Sequence, residues 1–473
     1  MRWDWSKRGC RLVLGAAVAL SVLACSKKDS SSPAPARSTA QVGSGSRPAT
    51  WNFVLVTIDT LRADAVGAYG GEWKTPHLDA FAEESMLFQH AFATAPFTGP
   101  SHASILTSRH PSKHGVIFNG NRVRGSASQE SVFVSEHLKD QGYATAAIVS
   151  MGPTSERYGF GRGFDYFDDD CWPAHGDNAS DGACIIDRTR RWLERRRKDQ
   201  RFFVWVHLFD PHFPYVCPAG MYQQQGLDPK EFVVRTKRRL HTMPAEQLRK
   251  AYLADVYEAD HHFGQLLQII SDLGLRPTTV IGVTSDHGEY LGEHGLYDHS
   301  RLYDEVLHVP LMIAAPGLRP ERRSDLVSII DLAPTALDLL GLPPMPSAQG
   351  RSVVQQSASS EVPPVFAEWR DFGVVCSEHE AKEGDFQLSI RTDDEKLIID
   401  WLFPDAGSQL FDLEKDPHEQ ENLYRVDGDE ADTLGDALER HIKKDLDPNH
   451  LGRSDIEIDP QAMKMLRALG YVE

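Results

Sequence analysis

Phe53-Val54-Leu55-Val56-Thr57-Ile58-Asp59 is an almost unbroken apolar run of strand length that ends on a carboxylate. A strand buried on both faces reads this way, and such strands belong to parallel sheets covered by helices on each side. Runs of the same kind recur at Tyr143 to Val149, Phe202 to Leu208, Thr279 to Val283 and Val309 to Ala314. Segments of helical character alternate with them: Asp79 to Ser85, Asp187 to Arg197, Ala245 to Leu273, and Asp331 to Leu340 with Gly341 as its C-cap. The alternation predicts a doubly wound α/β sheet. Ligands of such sheets gather at the carboxyl ends of the strands, a rule that selects Asp59, Ser150, Asp210 and Asp286.

With 473 residues, 41% of them hydrophobic, the chain is long enough for one large core and a smaller one. Pro343, Pro344 and Pro346, followed by Ser and Gln up to about Glu361, separate a main α/β domain, 51–345, from a C-terminal subdomain, 362–473. In the latter, Phe366 to Leu423 predicts a small antiparallel sheet and Glu430 to Lys444 a helix. A net charge of -18 opposes binding to nucleic acid, so an anionic substrate needs a locally basic or metal-bearing pocket.

At the N-terminus, Arg2, Lys7, Arg8 and Arg11 precede the short apolar stretch Leu12 to Leu23, the pattern of an export signal over 1–24. Val22-Leu23-Ala24-Cys25 resembles a bacterial lipobox, in which the cysteine is lipidated, and the Ser-, Pro-, Ala- and Gly-rich segment within 25–50 reads as a flexible tether. Ser26 resembles the outer-membrane sorting class. The expectation is an exported protein anchored through Cys25 to the outer membrane, on its periplasmic or surface face. Past this region no apolar run reaches the roughly 18 residues of a spanning helix. The other cysteines, Cys171, Cys184, Cys217 and Cys376, suit two disulfides in an oxidising compartment. Three pairings are open, Cys171 with Cys184 being the local one, and the spacing matches no zinc-site pattern.

Three stretches offer chemistry. Asp59 ends a strand, where a carboxylate is placed to bind a metal, although a strand-end Asp is as often a turn former. In Thr98-Gly99-Pro100-Ser101-His102, Gly99 permits close backbone approach and Pro100 fits the first turn of a helix. Thr98 then stands at a helix N-terminus that favours an anion, or Thr98 or Ser101 simply caps the helix. Thr284-Ser285-Asp286-His287-Gly288 sets an oxygen beside an imidazole ligand. With Asp59 and Thr98 these make four candidate ligands of one divalent metal. The histidine shifts preference toward zinc or manganese without excluding calcium.

Taken in order, Asp59 with its strand, Thr98-Gly99-Pro100-Ser101-His102, His114-Gly115-Val116, Asp210-Pro211-His212, Ser285-Asp286-His287-Gly288 and Phe411-Asp412-Leu413 resemble the signature blocks of the sulfatase family, within the alkaline-phosphatase-like superfamily. The resemblance implies a catalytic α/β domain with metal ligands at Asp59, Asp286, His287 and Thr98, and Thr98 at the nucleophile position. It also implies that His212 and His299 meet the transferred group as catalytic residues. His102, Arg62 and His207 are candidates for binding substrate.

Departures from the family pattern sharpen this expectation. Threonine replaces the cysteine or serine matured to formylglycine; its oxidation would give a ketone, so no formylglycine is expected and Thr98 acts unmodified. His102 stands where the family has arginine, and Thr60 replaces a second aspartate. A threonyl sulfate has no aldehyde hydrate to expel it, whereas a phosphoryl-threonine is released by in-line attack. The sequence therefore predicts a hydrolase of sulfate or phosphate esters, acting on a small or a glycan- or lipid-linked anionic substrate. A cell-envelope phosphoethanolamine or phosphoglycerol transferase or a phosphodiesterase is the alternative, and a non-catalytic anionic-glycan-binding lipoprotein a third reading.

Overall fold

A computed structural model describes residues 51–445 except 118, 120–126, 129, 151, 172–181, 355–361, 371–381 and 426–428. The export signal, Cys25, the tether and Cys376 lie outside the described residues, as does 446–473.

The main sheet contains β1 (Asn52–Ile58), β2 (Met86–Phe92), β3 (Ala144–Val149), β4 (Tyr166–Asp168), β5 (Phe202–Leu208), β6 (Thr279–Ser285), β9 (His308–Ala314) and β10 (Glu321–Ser328), in the order β10-β2-β9-β6-β1-β5-β3-β4. A two-stranded ribbon, β7 (Tyr290–Leu291) with β8 (Tyr297–Asp298), follows β6. Strand β9 runs antiparallel to both its neighbours, while the other pairs are parallel. The predicted doubly wound sheet is thus present with one reversed strand.

The apolar run of β1 has a simple cause. Phe53 and Leu55 enter the core on one face of the sheet, and Val54, Val56 and Ile58 enter the core on the other. Successive side chains of a strand point to opposite faces, so a centre strand covered on both sides is apolar on both, with Thr57 the one polar residue within 53–58. Helix Ala245–Asp272 covers the second face, and helix Leu332–Leu340 covers the first and ends on Gly341 in the left-handed conformation, as expected. Strands β2, β4 and β10 escape the sequence reading. β10, Glu-Arg-Arg-Ser-Asp-Leu-Val-Ser, lies at the sheet edge and leaves its first residues exposed, so its polarity hides it.

The C-terminal antiparallel sheet is β11 (Val365–Arg370), β12 (Phe386–Arg391), β13 (Glu395–Asp400) and β14 (Gln409–Asp412), followed by helix Asp429–Asp445. Its link to the main sheet is ionic as well as apolar. Lys396 is fully buried and bridges Asp304 at 2.6 Å and Glu419 at 2.7 Å. Trp369 of β11 stacks on Phe97, the residue before Thr98, with ring centroids 4.8 Å apart.

The local disulfide, Cys171 to Cys184, is formed. Cys217 is a buried free thiol, which corrects the expectation of two bridges among the described residues. The loop after β5 turns Cys217 inward onto the long helix, where its neighbour is Asp255 rather than a cysteine.

Candidate active site

Thr98 opens helix Thr98–Thr107, and the extended backbone of Phe97 aims that helix's N-terminus at the carboxyl ends of β1 and β6. Asp59 and Asp286 follow the paired residues Ile58 and Ser285 on those adjacent strands. One ligand atom each from Asp59, Asp286 and His287 lies within 4.8 Å of the others, and all three residues are fully buried. His287 Nε2 stands 3.5 Å from Thr98 Oγ1. Asp59, Thr98, Asp286 and His287 are therefore brought together.

The backbone is bent to make this fit. Thr60, β-branched, adopts a left-handed φ of 52°, which is uncommon for such a residue and needs support. Its N–H donates to Asp286 Oδ1 at 3.2 Å, and the Tyr252 hydroxyl donates to its carbonyl at 2.8 Å. Gly288 is required because a Cβ there would collide with the Glu305 carbonyl.

Three imidazoles share one hydrogen-bonding pattern. Nδ1–H of His287 donates to the Gly288 carbonyl at 2.8 Å, that of His299 to the Pro96 carbonyl at 2.7 Å, and that of His212 to the Phe213 carbonyl. A carbonyl only accepts, so the proton of each neutral ring sits on Nδ1 and each Nε2 carries a lone pair. The rings adjoin: His287 and His299 have centroids 4.4 Å apart, and His299 and His212 5.5 Å apart. Burial is the largest cause that pushes all three down to about 3, so they are neutral imidazoles near pH 7.

The donor set suits a divalent metal. Asp286 Oδ1 is taken by the N–H groups of Thr60 and His287, at 3.2 and 2.9 Å, while Oδ2 accepts no hydrogen bond. His287 Nε2 is fixed as an acceptor beside it, 3.5 Å from Oδ2. Burial raises the Asp286 carboxyl, and a cation beside it would favour the charged form.

The three residues expected to bind substrate are each engaged with other groups of the protein. Arg62 is ion-paired with Asp64 at 2.8 Å and Glu293 at 2.7 Å and donates to the Glu289 carbonyl, so its guanidinium ties β1 to the ribbon. His102 is fully buried below Thr98; its Nδ1 donates to the Thr98 carbonyl at 2.8 Å and its Nε2 meets Thr57 Oγ1 at 3.0 Å. Thr57 also accepts from Trp205 Nε1 at 2.9 Å and meets His207 Nδ1 at 3.1 Å. His207 Nε2 then faces Asp59 Oδ2 at 3.5 Å. This network holds the Thr98 carbonyl at one end and the Asp59 carboxylate at the other.

Lys237 and Asp298 were not singled out from the sequence. They form an ion pair, and both act electrostatically on His212 and His299. Lys237 opens the short helix Lys237–Leu240 in the connection between β5 and the long helix, far along the chain from the Asp210-Pro211-His212 block, and only its charge is visible in the sequence.

Residues 51–342 match the family model described as Sulfatase, and residues 292–447 the model described as N-sulphoglucosamine sulphohydrolase, C-terminal. The chain is 26% identical to an N-acetylglucosamine-6-O-sulfatase of Bacteroides thetaiotaomicron, over 79% of this chain and 82% of that one. It is 25% identical to an arylsulfatase of Clostridium perfringens, over 85% and 96%. Among solved structures it is similar to one bound to its substrate, D-glucosamine-2-N,6-O-disulfate, with TM-score 0.68, 22% identity and coverage of 85% of this chain and 99% of that one. A phosphonate monoester hydrolase of Agrobacterium radiobacter superposes with TM-score 0.67 and 20% identity, covering 83% and 95%. The mixed sheet with its small antiparallel companion is the fold of these solved hydrolases, and the family match makes the chain a sulfuric ester hydrolase. The chain belongs to the sulfatase family.

Proposed function

We propose that this protein hydrolyses sulfate or phosphate esters with Thr98 as an unmodified nucleophile and one divalent metal, zinc, manganese or calcium, held by Asp59, Asp286 and His287. The observation that carries the reading is the position of Thr98 Oγ1, 3.5 Å from His287 Nε2 at a helix N-terminus beside two buried carboxylates. A divalent metal bound there supplies Lewis acidity toward the ester oxygens and favours the deprotonated threonine. Thr98 Oγ1 forms a bond to sulfur or phosphorus as the bond to the ester oxygen breaks. The Nε2 of His212 or His299 takes up a proton and returns it to the departing oxygen. Water then cleaves the threonyl ester and restores the hydroxyl.

The relatives named above act on a sulfated amino sugar and on phosphonate monoesters, which supports an anionic glycan ester as substrate class and keeps phosphorus chemistry beside sulfur. The test is a panel of sulfate monoester, phosphate monoester, phosphonate monoester and phosphodiester, each with several metals, for the wild type and Thr98→Ala. Equal turnover by the alanine variant sinks the nucleophile; an acceptor alcohol incorporated into the product in place of water favours the transferase reading. Export and anchoring through Cys25 belong to the same proposal, supported by the lipobox-like Leu23-Ala24-Cys25. Cys25→Ser is expected to move the protein from the membrane to the soluble fraction, and unchanged membrane association would contradict it.

A further inference from the structure

The ribbon of β7 and β8 ends immediately before His299, so whatever seats the ribbon also seats that imidazole. At its tip His294 adopts a left-handed φ of 54°, uncommon for a residue with a Cβ, and its ring lies against helix Asp304–Leu307. His294 Nε2 meets Glu305 Oε2 of that helix at 3.2 Å. The ring stacks on Tyr303 with centroids 3.9 Å apart and planes 6° from parallel, and Tyr290 of β7 stands edge-on to it at 6.4 Å. The His294 and Glu305 side chains are each 10% exposed, so water screens this pair less than it screens a surface salt bridge.

Charges face His294 from each element packed against it. Glu305 stands on the helix, Glu419 on the C-terminal subdomain and Glu293 on the ribbon itself, and the phenol rings of Tyr290 and Tyr303 flank it. Arg62 pairs with Glu293 at 2.7 Å and Lys396 with Glu419 at 2.7 Å. Burial by itself lowers the imidazole, but the hydrogen bond to Glu305 and the charges of Glu305, Glu419 and Glu293 outweigh it and hold His294 above its ordinary 6.5. Burial pushes the Glu419 carboxyl up to about 7, so it is a second group that titrates nearby. The same helix also accepts the Gly288 N–H at the Val306 carbonyl, at 2.7 Å, so the residue after His287 and the ribbon tip share one anchor.

We propose that His294 and Glu305 form a pH-sensitive latch that holds the ribbon, and with it His299, on helix Asp304–Leu307. With His294 protonated, the contact is a charge-assisted hydrogen bond between imidazolium and carboxylate. With the ring neutral it falls to an ordinary hydrogen bond, roughly half as strong. A histidine whose folded value is raised contributes stability that is fully present below its unfolded value of 6.5 and is lost as pH rises through the folded value. The ribbon is therefore held more firmly at acid pH and loosens at alkaline pH. His294 is a positioning residue, acting through the segment that leads into His299. Its effect on turnover rests on the catalytic role proposed above for His299; the latch itself does not.

Hydrogen exchange of the full chain tests this, read by mass spectrometry for peptides spanning 290–298 and corrected for the intrinsic pH dependence of exchange. At about pH 6 His294→Gln is expected to exchange the ribbon about tenfold faster than wild type, and at about pH 9 the two are expected to agree within about twofold. Glu305→Gln keeps the imidazole, is expected to behave likewise, and serves if the first variant fails to fold. A difference between wild type and variant that does not change with pH overturns the proposal. So does a His294→Gln variant that keeps the wild-type pH dependence, which would assign the titration to Glu419. Turnover measured on the same samples separates the latch from the reaction: exchange as expected with unchanged turnover keeps the latch and overturns its link to His299.

Discussion

His287 touches Thr98 with one nitrogen only: Nε2 lies 3.5 Å from Thr98 Oγ1, while Nδ1 is tied to the Gly288 carbonyl at 2.8 Å. The carbonyl fixes the tautomer, so the nitrogen facing Thr98 Oγ1 carries a lone pair and is not a competing donor. In the proposed reaction this sets a metal ligand beside the nucleophile before any substrate arrives.

Thr98→Ala is expected to lower kcat by about 10⁴-fold or more, the loss typical of a covalent nucleophile. Thr98→Ser keeps the hydroxyl and is expected to retain activity within about 10²-fold. Steady-state kinetics on the preferred ester measures both. An alanine variant as active as the serine variant would remove Thr98 from the reaction.

Asp286→Asn and His287→Ala are expected to lose metal from the active site while the fold survives, because each removes a ligand and not a core side chain. Metal content by mass spectrometry, read beside the far-ultraviolet spectrum, checks this. Treatment of wild type with a chelator should abolish turnover, and added metal should restore it.

His212→Gln and His299→Gln are expected to reduce kcat by roughly 10²–10⁴-fold with active-site metal retained, since each removes a proton carrier at Nε2. Metal loss equal to that of Asp286→Asn would instead assign the residue to the metal.

Fully buried His114 predicts a pH effect on stability. Its Nδ1 accepts the Val116 N–H at 3.1 Å and its Nε2 meets Ser104 Oγ at 3.0 Å. Burial first, and then Arg109, lower it from the ordinary 6.5 to about 3. The folded state thus binds this proton more weakly than the unfolded chain. The stability present above pH 6.5 is lost as pH falls from 6.5 toward 3. The slope from this one group is at most about 1.4 kcal/mol per pH unit. Denaturant unfolding of wild type and His114→Gln between pH 7 and 4 should show a shallower fall in the variant, and parallel curves would refute it.

Lys396→Met is expected to destabilise the protein by about 3–5 kcal/mol, because it takes the buried cation from Glu419 and leaves Asp304 with Arg391 alone. Thermal unfolding gives the measurement. A loss below about 1 kcal/mol would mean that the two carboxyls take up protons in its place.

The sequence by itself determined the sheet and the chemical vocabulary of the site. Both faces of β1, β5 and β6 are buried, so their apolar runs are continuous and their ends are marked, and Asp59 and Asp286 could be read directly as strand-end carboxylates. Thr98 at a helix start was equally legible, because Gly99 and Pro100 carry local backbone meaning. Local signals do not report which way a side chain points. Only the tertiary structure decided that Arg62 is spent on Asp64 and Glu293, that His102 and His207 lie beneath the site joined through Thr57, and that Lys237 and Asp298 stand beside His212 and His299. The strand reversal at β9 and the meeting of Cys217 with Asp255 also have no local signature. Their cause is packing between segments far apart in the chain, and periodicity and motif spacing record only neighbours along it.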